Sequence, residues 1–167
     1  CKGPGSGRGG GKDVAYGSYQ TLGSLRLVFA NGQEKIANYR RQLDLETAIA
    51  RVEYQQGEVT YTREVFVSYP DQLVVVSLTA NKPEAISFEA TLDRPERFTV
   101  KEENNGLLMT GQLNNGTDGK GMKYAARLRA FNKGGEVTLS NKVLHVKNAT
   151  EVTLLVSAAT DYTGFAG

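Results

Sequence analysis

Tryptophan is absent from this chain of 167 residues, and cysteine and histidine occur once each. Each scarcity removes a class of function. The single cysteine, Cys1, allows no internal disulfide and no zinc site built from several thiolates. With one histidine, His145, any Ser-His-Asp relay or His-rich metal site must pass through that residue, and the surrounding LHVKN carries no signature of either. Its simplest reading is a strand histidine. The lack of Trp weakens the case for an autonomous sugar-binding module, which often stacks that ring on a sugar, although eight Tyr can partly substitute. No long apolar run occurs, so no membrane-spanning helix is expected. A net charge of +2, with the basic residues scattered along the chain, argues against nucleic acid as a partner.

What is present is ordinary for a soluble globular chain: 40% hydrophobic and 23% charged residues, in a length that permits one domain with a real core. Cys1 in first position matches the N-terminal cysteine of a mature lipoprotein. The missing start Met and signal sequence favour instead a chain numbered from within a longer protein.

Residues 1–18, CKGPGSGRGGGKDVAYGS, read as a Gly-rich flexible loop. From residue 19 to residue 167 the pattern is that of a β-sandwich domain. Short runs alternate apolar and polar residues and are separated by turn residues. Leu25, Leu27 and Phe29 form the first such run, closed by Asn31-Gly32, and Tyr39 to Leu45 the second. Ala48, Ala50, Val52 and Tyr54 are expected to share one face of a third strand, which a hairpin at Gln56-Gly57 joins to Val59 through Val67. Leu73 to Leu78 is nearly all aliphatic, as expected of a strand buried on both faces. Ile86, Phe88, Ala90 and Leu92 alternate, and further strands are expected at 98–101, 107–113, 122–131, 136–139, 143–146 and 151–159. Asn105-Gly106, Asn115-Gly116 and Gly134-Gly135 mark turns able to take positive φ. No sustained period of 3.6 competes. The expected fold is all-β, a sandwich of two large antiparallel sheets.

Candidate chemistry is sparse. Gly5-Ser-Gly-Arg-Gly-Gly10 matches G-x-G-x-x-G but lacks the strand before it and the helix after it, and Gly11-Lys12-Asp13 does not complete a phosphate-binding loop. Asp44, Asp71, Asp93 and Asp161 fall at strand ends or turns, where Asp usually bonds nearby backbone. Glu102-Glu103 reads as a solvated strand end. Asn115-Gly-Thr117 and Asn148-Ala-Thr150 are glycosylation sequons that also read as turns. Arg40-Arg41 reads as surface charge, with docking against another domain as the functional alternative. No catalytic residue, metal ligand or cofactor site is identified.

Five blocks in combination carry a resemblance: Gly17-Ser-Tyr-Gln-Thr-Leu-Gly23, Tyr39-Arg-Arg-Gln-Leu-Asp-Leu-Glu-Thr-Ala-Ile49, Arg63-Glu-Val-Phe-Val-Ser-Tyr-Pro-Asp-Gln72, Leu92-Asp-Arg-Pro95 and Ala158-Ala-Thr-Asp-Tyr162. Together they resemble the N-terminal β domain of the family 95 glycoside hydrolases, the inverting α-L-fucosidases. The resemblance implies a two-sheet antiparallel super-sandwich of the galactose-mutarotase type, a non-catalytic domain incomplete at its opening strands, beside an (α/α)6 catalytic barrel absent from this sequence. In that family a Glu acts as general acid, and an Asn activated by an Asp positions water; neither motif is present here. It further implies that Tyr19, Gln20, Arg40, Arg41 and Arg94 face the barrel and that the glycan is met through the parent enzyme. Location in the periplasm or outside the cell and self-association through an open sheet edge are also expected. The alternatives are a carbohydrate-binding module and a structural interaction domain with no hydrolase parent.

Overall fold

The computed structural model describes residues 21–29, 34–103, 105–114 and 118–163. Among these residues the chain forms twelve strands and no helix: β1 (Ser24–Phe29), β2 (Ile36–Asp44), β3 (Ile49–Gln56), β4 (Val59–Ser68), β5 (Leu73–Ala80), β6 (Ile86–Asp93), β7 (Phe98–Glu103), β8 (Gly106–Gln112), β9 (Lys123–Lys133), β10 (Glu136–Ser140), β11 (Val143–Ala149) and β12 (Glu151–Thr160). The Gly-rich lead and the Asn31-Gly32 and Asn115-Gly116 turns lie outside the described residues.

Two antiparallel sheets form the expected sandwich. The smaller has the order β1-β6-β11-β10, and the larger β2-β3-β4-β5-β12-β9-β8-β7. The alternation in sequence decides which side chains enter the interior, because successive residues of a strand point to opposite faces. Ile86, Phe88, Ala90 and Leu92 all point inward from β6 at 7% exposure or less, and Leu144 and Val146 do so from β11. From the larger sheet, Leu107, Leu128 and Leu154 are fully buried beneath them. A residue at such a site contributes about 1.5–3 kcal/mol by leaving water, so these inward faces hold the two sheets together.

The connections obey turn chemistry. Gly134 and Gly135 adopt φ of 72° and 61° between β9 and β10. A Cβ at position 135 would lie 2.1 Å from the Lys147 carbonyl oxygen, so only glycine fits. Asn141 and Lys142 take φ of 53° and 64° between β10 and β11, the two-positive-φ geometry that suits the twist of a tight hairpin.

Three local expectations are corrected. Ala48 does not belong to β3; it has a φ of 56° and ends a turn that the Asp44 carboxylate closes by accepting the amides of Glu46 and Thr47 at 2.9 and 3.2 Å. Strand β2 begins three residues earlier than the Tyr39 start, at Ile36. Its register shifts between Ala37 and Arg40, with Asn38 at a φ of 53°, which is how a bulge absorbs an extra residue. Strand β5 is not buried on both faces: Val76 and Leu78 of its inner face are buried, whereas Leu73, Val75, Ser77 and Thr79 of the other face are half-buried, and even on the inner face Val74 is 37% exposed. The exposure of Val74 follows from coverage, since the four-stranded sheet spans only part of the eight-stranded one. Every residue of β2 is exposed, and β3 buries none fully.

Candidate functional site

The ladders give the composition of the uncovered inner face. Leu43 pairs with Ala50 and Ala50 with Val65; Arg41 pairs with Val52 and Val52 with Arg63; Tyr54 pairs with Tyr61. One side of β2, β3 and β4 thus presents aliphatic and aromatic side chains interrupted by Arg41 and Arg63, while its reverse carries Arg40, Gln42, Arg51, Glu53 and Glu64. Where β1 reaches this face, Phe29, Ile36, Tyr39, Val52, Tyr54 and Arg63 line a groove of about 460 Å³. The Tyr54 and Tyr61 rings stack, with centroids 5.2 Å apart and planes 20° apart, a cross-strand aromatic pair on one face of a sheet. The Tyr61 hydroxyl donates to the Ala85 carbonyl at 3.2 Å, and burial pushes its pKa above the usual phenol value. The Arg63 guanidinium lies 4.8 Å from the centre of the Phe29 ring, and its Nε is buried with no hydrogen-bond partner among the described residues.

This groove has shape and apolar surface but no acid–base pair. The four aspartates at strand ends are engaged elsewhere. Besides Asp44 in its turn, Asp71 accepts the Ser68 hydroxyl, Asp93 pairs with Arg26 at 3.1 Å, and Asp161 accepts the Lys123 amide at 2.7 Å. Glu103 pairs with Arg127 at 3.1 Å, and Glu102 accepts the Lys142 amide at 2.8 Å. Glu102 is therefore more than a solvated strand end: it ties β7 of the larger sheet to the β10–β11 turn of the smaller one. No cluster of three or more metal-ligating side chains occurs among the described residues.

His145 sits on the outer face of the small sheet, in a chain of three side chains. Its Nε2 is 2.9 Å from the Ser140 hydroxyl, and its Nδ1 is 3.4 Å from Glu89. The order is that of a nucleophile, base and carboxylate. However, the amide of Lys142 in the adjoining turn, a candidate oxyanion donor, is already given to Glu102. The arrangement closes a hairpin, since Ser140 and His145 belong to paired strands.

The sequence-predicted interface residues separate. Tyr19 and Gln20 lie outside the described residues. Arg40 and Arg41 are neighbours in β2 and point to opposite faces, so the doublet forms no single patch: Arg40 joins the polar reverse side, and Arg41 the apolar inner one. Arg94 is 7% exposed. Its Nη1 donates to the Thr21 and Leu22 carbonyls at 2.9 and 3.0 Å, and its guanidinium lies 4.6 Å from the centre of the Tyr124 ring. Its observed contacts anchor the segment that enters β1. The Tyr54–Tyr61 groove was not recognised as a site from sequence, although the shared parity of Val52, Tyr54, Tyr61 and Arg63 in a hairpin was its available signal.

Comparison with known proteins adds what the geometry lacks. The family model described as "Glycosyl hydrolase family 65, N-terminal domain" matches residues 5–164. Among curated proteins, "Alpha-L-fucosidase 2" of Arabidopsis thaliana is 36% identical over 87% of the chain and 20% of its own length. The "Probable alpha-fucosidase A" of Aspergillus oryzae is 27% identical over 94% and 22%. Its namesake in Aspergillus niger is 33% identical over 88% and 19%. The chain thus spans about a fifth of the length of the relatives it matches, which are plant and fungal. A solved chain described as a kojibiose phosphorylase from human microbiome shares the fold, with a TM-score of 0.57 at 14% identity over 86% of this chain and 22% of that one.

Proposed function

The chain belongs to the family of glycosyl hydrolase family 65 N-terminal domains, and from that premise we propose that it is the non-catalytic β domain of an enzyme that removes terminal α-L-fucose from oligosaccharides or glycans. The observation that carries the sugar assignment is the 36% identity to "Alpha-L-fucosidase 2" over 87% of the chain. The resemblance to family 95 narrows the proposal to an inverting hydrolase.

Two physical points support a supporting role rather than a catalytic one. Inversion needs two groups about 6.5–9.5 Å apart flanking a sugar and a water, and the carboxylates considered above are held in turns, ion pairs and a cross-sheet bond. Among its described lining residues, the Tyr54–Tyr61 groove is mainly apolar and aromatic, with Gln56, Arg63 and Ser87, and holds no carboxylate. The chemistry is therefore assigned to the remainder of a polypeptide about five times as long, including a helical barrel against which this domain packs. Arg40, on the polar reverse of β2, is a candidate for that contact. Export from the cytoplasm belongs to the same proposal and is read from whether the full reading frame opens with a signal peptide.

The test is a paired assay on a fucosylated oligosaccharide. The full-length polypeptide should release fucose, and the 167-residue chain should release none above the blank. Release by the chain alone would overturn the non-catalytic role; failure of the full-length protein would overturn the substrate assignment.

A further inference from the structure

Basic residues that are scattered through the sequence are gathered by the pleat of one strand. In β9, Tyr124, Ala126 and Leu128 point into the core. Lys123, Arg127, Arg129, Phe131 and Lys133 therefore lie on the outer face of the larger sheet. Lys101 of β7 joins that face, because its neighbour Val100 points inward, and the ladder sets it across Leu108 from Arg127. Arg127 is neutralised by Glu103 at 3.1 Å and Lys133 by Glu151 at 2.7 Å. Lys101, Lys123 and Arg129 are exposed, and none of them pairs with a carboxylate among the described residues. Phe131 stands between Arg129 and Lys133 with its ring 55% exposed, and successive outward residues of a strand are about 6.8 Å apart. An uncovered aromatic ring flanked by unneutralised cations is a surface for an anion that also has an apolar face.

From these observations we propose that the outer face of β9, with Lys101 of β7, binds an acidic polysaccharide, whose anionic groups meet Arg129, Lys101 and Lys123 while a sugar ring lies against Phe131. The Arg129 guanidinium is a planar fork that matches a carboxylate with two parallel hydrogen bonds, and the two lysines act as point charges beside it. The C–H face of a sugar ring supplies the apolar contact that the exposed phenyl ring lacks. Nucleic acid is the poorer occupant, since its affinity is built from many phosphate contacts and this chain has a net charge of only +2. An acidic protein is also the poorer occupant, because the centre of a protein interface is depleted of charge, whereas here cations surround the ring. Arg40, the candidate contact with the remainder of the longer polypeptide, lies in β2. That strand is five ladder steps from β9, or about 24 Å at the usual strand spacing, so the two surfaces are separate.

The inference rests on the reading of this chain as one domain of an enzyme that meets glycans, but its readout is binding to a polymer that carries no fucose. The full-length polypeptide is titrated calorimetrically with polygalacturonate and with neutral dextran. Saturable binding of polygalacturonate is expected, weakening at least about tenfold between about 50 and 500 mM salt, with none of dextran. Arg129→Glu and Lys101→Glu should each weaken it at least about fivefold, and Phe131→Ala about threefold. Lys147→Glu serves as the control: it lies opposite Glu136 on the outer face of the smaller sheet and changes net charge equally, so its effect should stay below about twofold. All four positions are exposed, and thermal unfolding checks that each variant is folded. Absence of binding, binding indifferent to salt, or equal losses in Arg129→Glu and Lys147→Glu overturn the proposal. So does tighter binding of duplex DNA than of polygalacturonate, which would make the stripe a nucleic-acid surface. Binding by the 167-residue chain that the full-length protein lacks also overturns it, since the longer polypeptide then occupies the stripe itself. Polygalacturonate binding without fucose release would leave this inference standing and remove the substrate assignment; release without binding would do the reverse.

Discussion

The guanidinium of Arg94 lies 4.6 Å above the centre of the Tyr124 ring while its Nη1 donates to the carbonyls of Thr21 and Leu22. This places a cation between the two sheets, with one face on an aromatic ring and one edge on the backbone leading into β1. Tyr124 is fixed in turn by its hydroxyl, which donates to the Arg97 carbonyl at 2.9 Å. Replacing Arg94 by Ala should lower stability by about 2–4 kcal/mol, from lost charge-assisted bonds and lost cation–π contact. Arg94→Lys should recover less than half of that, because an ammonium cannot both stack and span two carbonyls as a planar fork does. Urea unfolding midpoints of the two variants check this; equal midpoints for Lys and Arg would show that charge alone matters.

Burial differs sharply along the large sheet, and substitutions should report it. Leu128 and Leu154 are fully buried, and truncating either to Ala should cost about 2–5 kcal/mol. Val67, on the same inner face but 70% exposed, should cost less than about 1 kcal/mol in the isolated chain. Thermal unfolding of the three variants tests whether the cover ends where the geometry places it.

Gly111 allows β8 to pass beneath Tyr124. A Cβ there would lie 2.2 Å from both the Arg97 carbonyl oxygen and the Tyr124 hydroxyl. Gly111→Ala should therefore destabilise the domain by about 1–3 kcal/mol through overpacking, and it should disturb Tyr124 more than Tyr54. Tyrosine ring shifts in NMR spectra of the variant distinguish this from a general loss of order.

The turn after β2 should be sensitive to acid. The amides of Thr47 and Glu46 hold the Asp44 carboxyl below its ordinary value of 3.8. A depressed folded pKa means that the stabilisation is complete above the unfolded value and is lost as pH falls through the folded one. The stability gap between wild type and Asp44→Ala should thus be larger at about pH 7 than at about pH 2.5, measured by urea titration. A gap that is constant across that range would show that the charge on Asp44 is irrelevant to the turn.

Much of this architecture was legible in local sequence. The alternation of Ile86, Phe88, Ala90 and Leu92 gave both a strand and its inward face, because period two is a property of the strand itself. Gly134-Gly135 gave a turn for the same local reason. What sequence could not supply was long-range: β6 lies between β1 and β11, and β12 between β5 and β9, pairings that no short window encodes. The width mismatch between the sheets, and hence the partial exposure of Val74, follows from that order. The resemblance placed Arg94 at an interface with another domain; its burial within this one rests on two carbonyls and a ring distant in sequence, which no short window encodes. Arg40 and Arg41 looked like one basic patch until the pleat separated them. The aspartates divide: Asp44 and Asp71 bond within their own turns, as a short carboxylate there can, while Asp93 and Asp161 reach Arg26 and the Lys123 amide, distant in sequence.

The central claim is that this chain is a scaffold for chemistry carried elsewhere in a longer fucosidase. Proton NMR of a fucosylated oligosaccharide during digestion tests it most directly. With the full-length polypeptide, signals of free β-L-fucose should appear first and mutarotate later, as inversion requires. With the 167-residue chain at equal concentration, the spectrum should not change. Free fucose from the chain alone, or none from the full-length polypeptide, would contradict the account.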